Sequence, residues 1–215
     1  MTVQNVIDLA VTGELRNLAV SKEPESILSY LNLGLIELYK RFPLNVEEAI
    51  ITLRDDKEIY MLDGTDPDVS MDVTKDYMWV VAAYGEVDEH SSQAVNILPI
   101  NEEDNPLSIN TVSWNKVQIP LTVEGGFISL MYVTAPRYLT LADLDTAIAI
   151  PPQMLEALLH YIGYRAHGAV DGNIQSENST HYQRFELSCK QIETRGMLTS
   201  DDLNMVNKFK NRIWA

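Results

Sequence analysis

The chain has 215 residues, 46% hydrophobic and 22% charged, enough for a sizeable core and unlike the composition of a disordered protein. Its 31 acidic and 16 basic side chains give a net charge of −15, which argues against binding nucleic acid through the surface as a whole or adhering to an anionic membrane. The single cysteine, Cys189, excludes an intramolecular disulfide and any multi-cysteine zinc site, and no apolar run reaches the roughly 18 residues of a membrane span.

In chain order, Val3, Val6, Ile7, Ala10, Leu15 and Leu18 recur at helical spacing and predict a helix over 3–18, with Gly13 as a weak point. Pro24-Glu25-Ser26 opens a second helix, since proline at the first helical position loses only an amide without a partner. Ile27, Leu31, Leu35, Leu38 and Phe42 form its apolar stripe, widened by Leu28, Tyr30, Ile36 and Tyr39, and Pro43 stops it. The middle reads as β structure. Segments 49–53 and 59–62 flank the polar loop 54–58 in a hairpin pattern, and 63–68 is rich in turn residues. Further strands are expected at 78–84, at 95–98 and within 107–123, with a tight turn at Gly125-Gly126 and a returning strand over 127–133. After a loop or short helix over 140–150, Pro151-Pro152 precedes a long helix over 153–170, and a second runs over 177–198 with Tyr182, Phe185, Cys189 and Ile192 as its stripe. The order predicts an α+β protein: one helical domain whose halves, 1–43 and 141–198, flank a β-rich insertion, 44–140, followed by a C-terminal segment, 199–215.

Charge follows the same divisions. Residues 44–145 hold 5 basic and 19 acidic side chains, the flanks are near neutral, and 203–215 carry Lys208, Lys210 and Arg212 with no acid. No nucleotide-binding, nucleophile-elbow or zinc-protease signature is present. The segment 1–11 lacks the basic start of a signal peptide, so the expectation is a soluble protein made inside the cell.

Several residue groups carry side chains capable of chemistry. Glu156 and His160 share a helix face with His167 further along, but that spacing alone lacks enough ligands for a metal, and a helix-surface Glu–His pair is the default. Asp63, Asp66, Asp68 and Asp72 do not fit calcium-loop spacing and read as a solvated acidic turn. Cys189 reads as a buried small hydrophobe, and Glu102-Glu103-Asp104 as a charged loop. No catalytic constellation, cofactor or metal is therefore expected. The C-terminal segment stands out: Val206, Phe209 and Ile213 recur at spacings of 3 and 4 beside Trp214, with Lys208, Lys210 and Arg212 interleaved. It reads either as a terminal helix on its own domain or as an arm that docks into a partner.

Three stretches carry a family resemblance: 29–43 (SYLNLGLIELYKRFP), 128–140 (ISLMYVTAPRYLT), and 150–161 (IPPQMLEALLHY) continuing through Arg165, Ala166 and His167 to Tyr182, Phe185, Glu186 and Cys189. In order and character the chain resembles the head-to-tail adaptor (connector) proteins of tailed bacteriophages, which lie directly below the portal. The resemblance implies a helical bundle with a β insertion and a non-enzymatic structural role. It implies a homo-oligomeric ring, a dodecamer on the portal, lining the DNA channel, with a tail nozzle or another tail protein below. DNA would pass only transiently and without specificity, no membrane would be involved, and assembly would take place in the host cytoplasm before residence in the virion. It also favours the docking arm, with Val206, Lys208, Phe209, Lys210, Arg212, Ile213 and Trp214 meeting the portal. Two alternatives stay open: another tail-completion or nozzle-proximal virion protein, or an enzyme or binding module using the acidic β block.

Overall fold

Residues 1–86, 94–123, 125–171 and 180–195 are described by a computed structural model. Among them the protein is mixed α+β, with four α-helices and two antiparallel sheets. The described residues divide into two units, one built from 1–42 together with those between 136 and 195, the other from Pro43–Ala135.

The first unit is helical. Helix α1 (Val3–Thr12) starts with a capping box, in which the Asn5 N–H donates to Thr2 Oγ1 and the Thr2 N–H donates to Asn5 Oδ1. It ends earlier than periodicity predicts. The Gly13 N–H closes on the Leu9 carbonyl, and the chain leaves the helix in a tight turn that buries Leu15 completely. Helix α2 (Pro24–Arg41) has the expected bounds, and every residue of its predicted stripe, from Ile27 to Phe42, is buried. Helix α3 (Leu155–Asp171) matches its expected segment to within two residues at each end, and α4 (Thr180–Arg195) lies within the long segment expected. Helix α3 packs against each of the other three. Arg41 at the end of α2 pairs with Glu186 at 2.7 Å and Glu193 at 3.0 Å on α4, and that pairing holds the Glu186 carboxyl below its ordinary range. Cys189 is fully buried, and burial pushes its thiol up to about 11, so it is a poor nucleophile at neutral pH.

The second unit holds strands β1 (Val46–Thr52), β2 (Ile59–Met61), β3 (Val69–Ser70), β4 (Tyr77–Glu86), β5 (Ala94–Leu98), β6 (Asn110–Ser113), β7 (Lys116–Gln118) and β8 (Phe127–Thr134). One sheet runs β3-β1-β8-β4-β5 and the other β2-β7-β6, and all pairings are antiparallel. The two share one core, to which Ile51, Leu130 and Tyr132 contribute from the larger sheet and Tyr60 and Val117 from the smaller. Strand β8 is buried along nearly its whole length, as a central strand must be.

Strand pairing departs from the sequence expectation twice. The segments around 49–53 and 59–62 do not form a hairpin: β1 pairs with β3 and β8, while β2 pairs with β7. Only Arg54 and Lys57 bridge. The Met61 N–H donates to the Asp66 carboxylate at 3.0 Å, so a side chain takes the place of a neighbouring strand there. Likewise β8 returns to β1 and β4, in register from Val46–Val133 to Thr52–Phe127, and not to β6 or β7.

Candidate functional site

Two side-chain clusters stand out, one in each unit. In the β unit, Lys57 Nζ sits 2.6 Å from Asp66 Oδ1 and 2.9 Å from Asp68 Oδ2, and lies over the Tyr60 ring. Arg54 adds a second cation to Asp68 at 2.8 Å. The Tyr60 hydroxyl accepts from the Arg54 N–H and donates to the Lys57 carbonyl, closing the turn. Asp63 accepts from Thr65 and Asn115. The expected solvated acidic turn is therefore an ion-paired knot whose Asp66 is buried. Burial alone pushes the Asp66 carboxyl up, but Lys57 and the Met61 and Asp68 N–H groups outweigh it and hold the group below its ordinary value. Lys57 and Arg54 do the same for Asp68. Glu102-Glu103-Asp104 sit on an exposed turn in which the Glu102 N–H donates to Ser108 Oγ.

Carboxyls depressed in the fold add stability above their unfolded values, near 3.8, and that contribution is lost as pH falls from there through the folded values. Thermal midpoints are expected to hold on mild acidification and to fall once the pH drops below about 4. Relief of repulsion in a chain of net charge −15 works in the opposite direction. Lys57→Met separates the two effects: it should be less stable at neutral pH and lose less on acidification. An unchanged acid slope in Lys57→Met would remove the knot as its source.

The second cluster lies in the helical unit. His160 and His167 are on α3, His181 is on α4, and Glu14 is in the turn after α1. Burial of the adjacent Leu15 anchors that turn. Glu14 Oε1 lies 3.3 Å from His160 Nδ1, and Glu14 Oε2 lies 2.9 Å from His181 Nδ1. His160 Nε2 is 3.6 Å from Glu156 Oε1, and the His167 and His181 rings stack with centroids 4.5 Å apart. His167 Nε2 is 3.2 Å from the Glu14 carbonyl. Gly163, on the same face of α3, permits this approach: a Cβ there would come within 2.9 Å of His181 Nδ1 and 3.3 Å of Glu14 Cβ. Burial pulls the His181 imidazole below its ordinary value, against the attraction of Glu14. The expected Glu156–His160 pair is present with Glu156 exposed, but His160, with 12% of its side chain exposed, also turns inward to Glu14.

Glu156, His160 and His167 were visible as one helical face in the sequence. Glu14 and His181 were not, because they come from other elements. The predicted docking residues Val206, Lys208, Phe209, Lys210, Arg212, Ile213 and Trp214 lie outside the described residues, as does the rest of 196–215. Among the described residues no helix is long and apolar enough to cross a membrane. No protein-family model matches the chain, and no curated protein matches it.

Proposed function

We propose that the chain is a head-to-tail adaptor of a tailed bacteriophage, a structural and non-enzymatic virion protein that forms a ring between portal and tail. On this reading the four helices make a bundle into which the β unit is inserted. The ring is dodecameric on the portal, a tail nozzle or other tail protein lies below it, and residues 199–215 form the arm that reaches the portal. The observation that carries the reading is the architecture: helices from both ends of the chain form one unit, and the residues between them form a separate β unit. That β unit, 43–135, holds 4 basic and 17 acidic side chains.

The charge suits a conduit. Acidic walls repel DNA, so it passes without sticking. The same repulsion opposes packing of neighbours around a ring, and screening over about 8–10 Å relieves only part of it. Neighbours must meet on neutral or apolar surface. Large exposed apolar side chains are present even on the acidic unit, among them Ile97, Val112 and Trp114. The carboxylates gathered around Lys57 and Arg54 are held ionised by structural partners, which fits a scaffold better than acid–base chemistry.

Electron microscopy of the purified chain mixed with the portal ring from the same genome tests the proposal. An added layer with the portal's symmetry is expected. A chain lacking 203–215 is expected to keep its circular dichroism spectrum and fail to add that layer. A well-folded full-length chain that adds no layer would overturn the adaptor role. An unfolded truncation product would overturn the arm.

A further inference from the structure

We propose that Glu14, His160 and His181 form a binding site for a borderline divalent cation of the Zn²⁺ type, which fastens the turn after α1 to α3 and α4. The inference does not depend on the adaptor reading. One carboxylate and two imidazoles are the donor set that zinc, cobalt and nickel prefer, and unlike the all-oxygen sets of magnesium and calcium.

The geometry supports it. Zinc bonds of about 2.0–2.1 Å in a tetrahedral site place donor atoms roughly 3.3 Å from one another. Here the imidazole nitrogens lie near different Glu14 oxygens, at 3.3 Å and 2.9 Å, and with one carboxylate oxygen as donor the three ligand atoms lie within 4.8 Å of one another, so modest side-chain adjustment closes them on an ion. The alternative is a plain hydrogen-bonded cluster, in which each imidazole donates to Glu14. Yet His160 Nδ1 and His181 Nδ1 are both buried and neither makes a hydrogen bond of acceptable angle, despite the short distances. Among the described residues, Tyr132 Oη is the one other buried side-chain polar atom in this position. Two buried nitrogens that lie beside one carboxylate and do not donate to it remain free to act as ligands.

The surroundings fit as well. Ligating histidines usually engage a carboxylate or carbonyl through the other ring nitrogen, and His160 Nε2 faces Glu156. His160 also lines a solvent-open cleft of about 300 Å³ with Glu156, Arg184, Leu187, Ser188 and Gln191, so the cluster lies next to solvent. At His181 the Glu14 carboxylate favours positive charge, while Arg184 opposes it. Three protein donors leave a fourth position for water.

The test uses the untagged full-length chain, stripped with chelator and titrated with Zn²⁺ while the imidazole nitrogen shifts are followed by NMR. One-to-one binding that moves the His160 and His181 signals is expected, with a raised thermal midpoint. Glu14→Gln keeps the size of the side chain and should weaken binding by about 10- to 100-fold. Gly163→Ala, which crowds His181 and Glu14, should weaken it about tenfold. Co²⁺ in place of Zn²⁺ should give the visible bands of a low-coordinate nitrogen–oxygen site. Signals of His160 and His181 that stay still at millimolar Zn²⁺ would overturn the proposal in the unaltered protein. So would undiminished affinity in a folded His160→Gln, His181→Gln double variant.

Discussion

Gly34→Leu is expected to destabilise the helical unit by about 3 kcal/mol. Glycine inside a helix costs about 1 kcal/mol relative to alanine, so its place in the middle of α2 needs a compensating contact. A Cβ at position 34 would lie 2.6 Å from Leu158 Cδ1 and 3.2 Å from Tyr161 Cδ1, both on α3. Leu158 and Tyr161 are buried, so a larger side chain has nowhere to go unless the helices separate. Gly34→Ala should be far milder: the Leu158 methyl can shift, and the gain in helix propensity offsets part of the strain. Adding Leu158→Ala to Gly34→Leu should recover part of the loss, a coupling that a double-mutant cycle measures directly. Denaturant unfolding followed by circular dichroism reads the four proteins of the cycle and Gly34→Ala. A Gly34→Leu variant as stable as the parent would mean that the absent Cβ does not set the contact between α2 and α3.

How legible the protein was in its sequence depended on the range of the interaction. Helix α2 was readable throughout because its signals are local: a proline at the start, a stripe at helical spacing and a proline after the end. Helix α1 was read too long because Leu15 and Leu18 continue the spacing while Gly13 has already turned the chain. The β segments were recognisable, but alternation reports which face is buried and not which strand lies alongside. The Asp66 carboxylate bonded to the Met61 N–H, and the long-range register of β1 on β8, decided the pairing. The histidine cluster was half visible for the same reason. Periodicity put His160 and His167 on one face of α3, while Glu14 and His181 arrive through tertiary structure. One local signal was there to be used: Gly163 lies between the two histidines on that face, where a helix ordinarily has no need of glycine.

The second large effect is expected at Asn32, which joins the two chain ends of the helical unit. Its side-chain amide donates to the Leu139 carbonyl at 2.9 Å, and its carbonyl oxygen accepts from the Leu139 N–H at 2.9 Å. Asn32 is only 4% exposed, and both bonds span 107 residues of sequence. Sequence reading passed over Asn32 because a polar residue beside an apolar stripe resembles a solvent-facing position. Asn32→Leu removes both partners of a buried backbone pair and is expected to cost about 3 kcal/mol. Asn32→Asp keeps the shape and the accepting oxygen but turns an ionised oxygen toward the Leu139 carbonyl. Burial and that repulsion raise the folded-state pKa of the new carboxyl above its unfolded value. Its penalty is therefore largest above the folded pKa and shrinks as pH falls through it, since the protonated acid can donate to the carbonyl as the amide did. Thermal midpoints of Asn32→Asp and Asn32→Leu compared between about pH 7 and about pH 4 should converge or cross, with the Asp variant gaining on the Leu variant. Parallel curves would show that the donor to the Leu139 carbonyl contributes nothing, and that Asn32 holds the segment through its accepting oxygen alone.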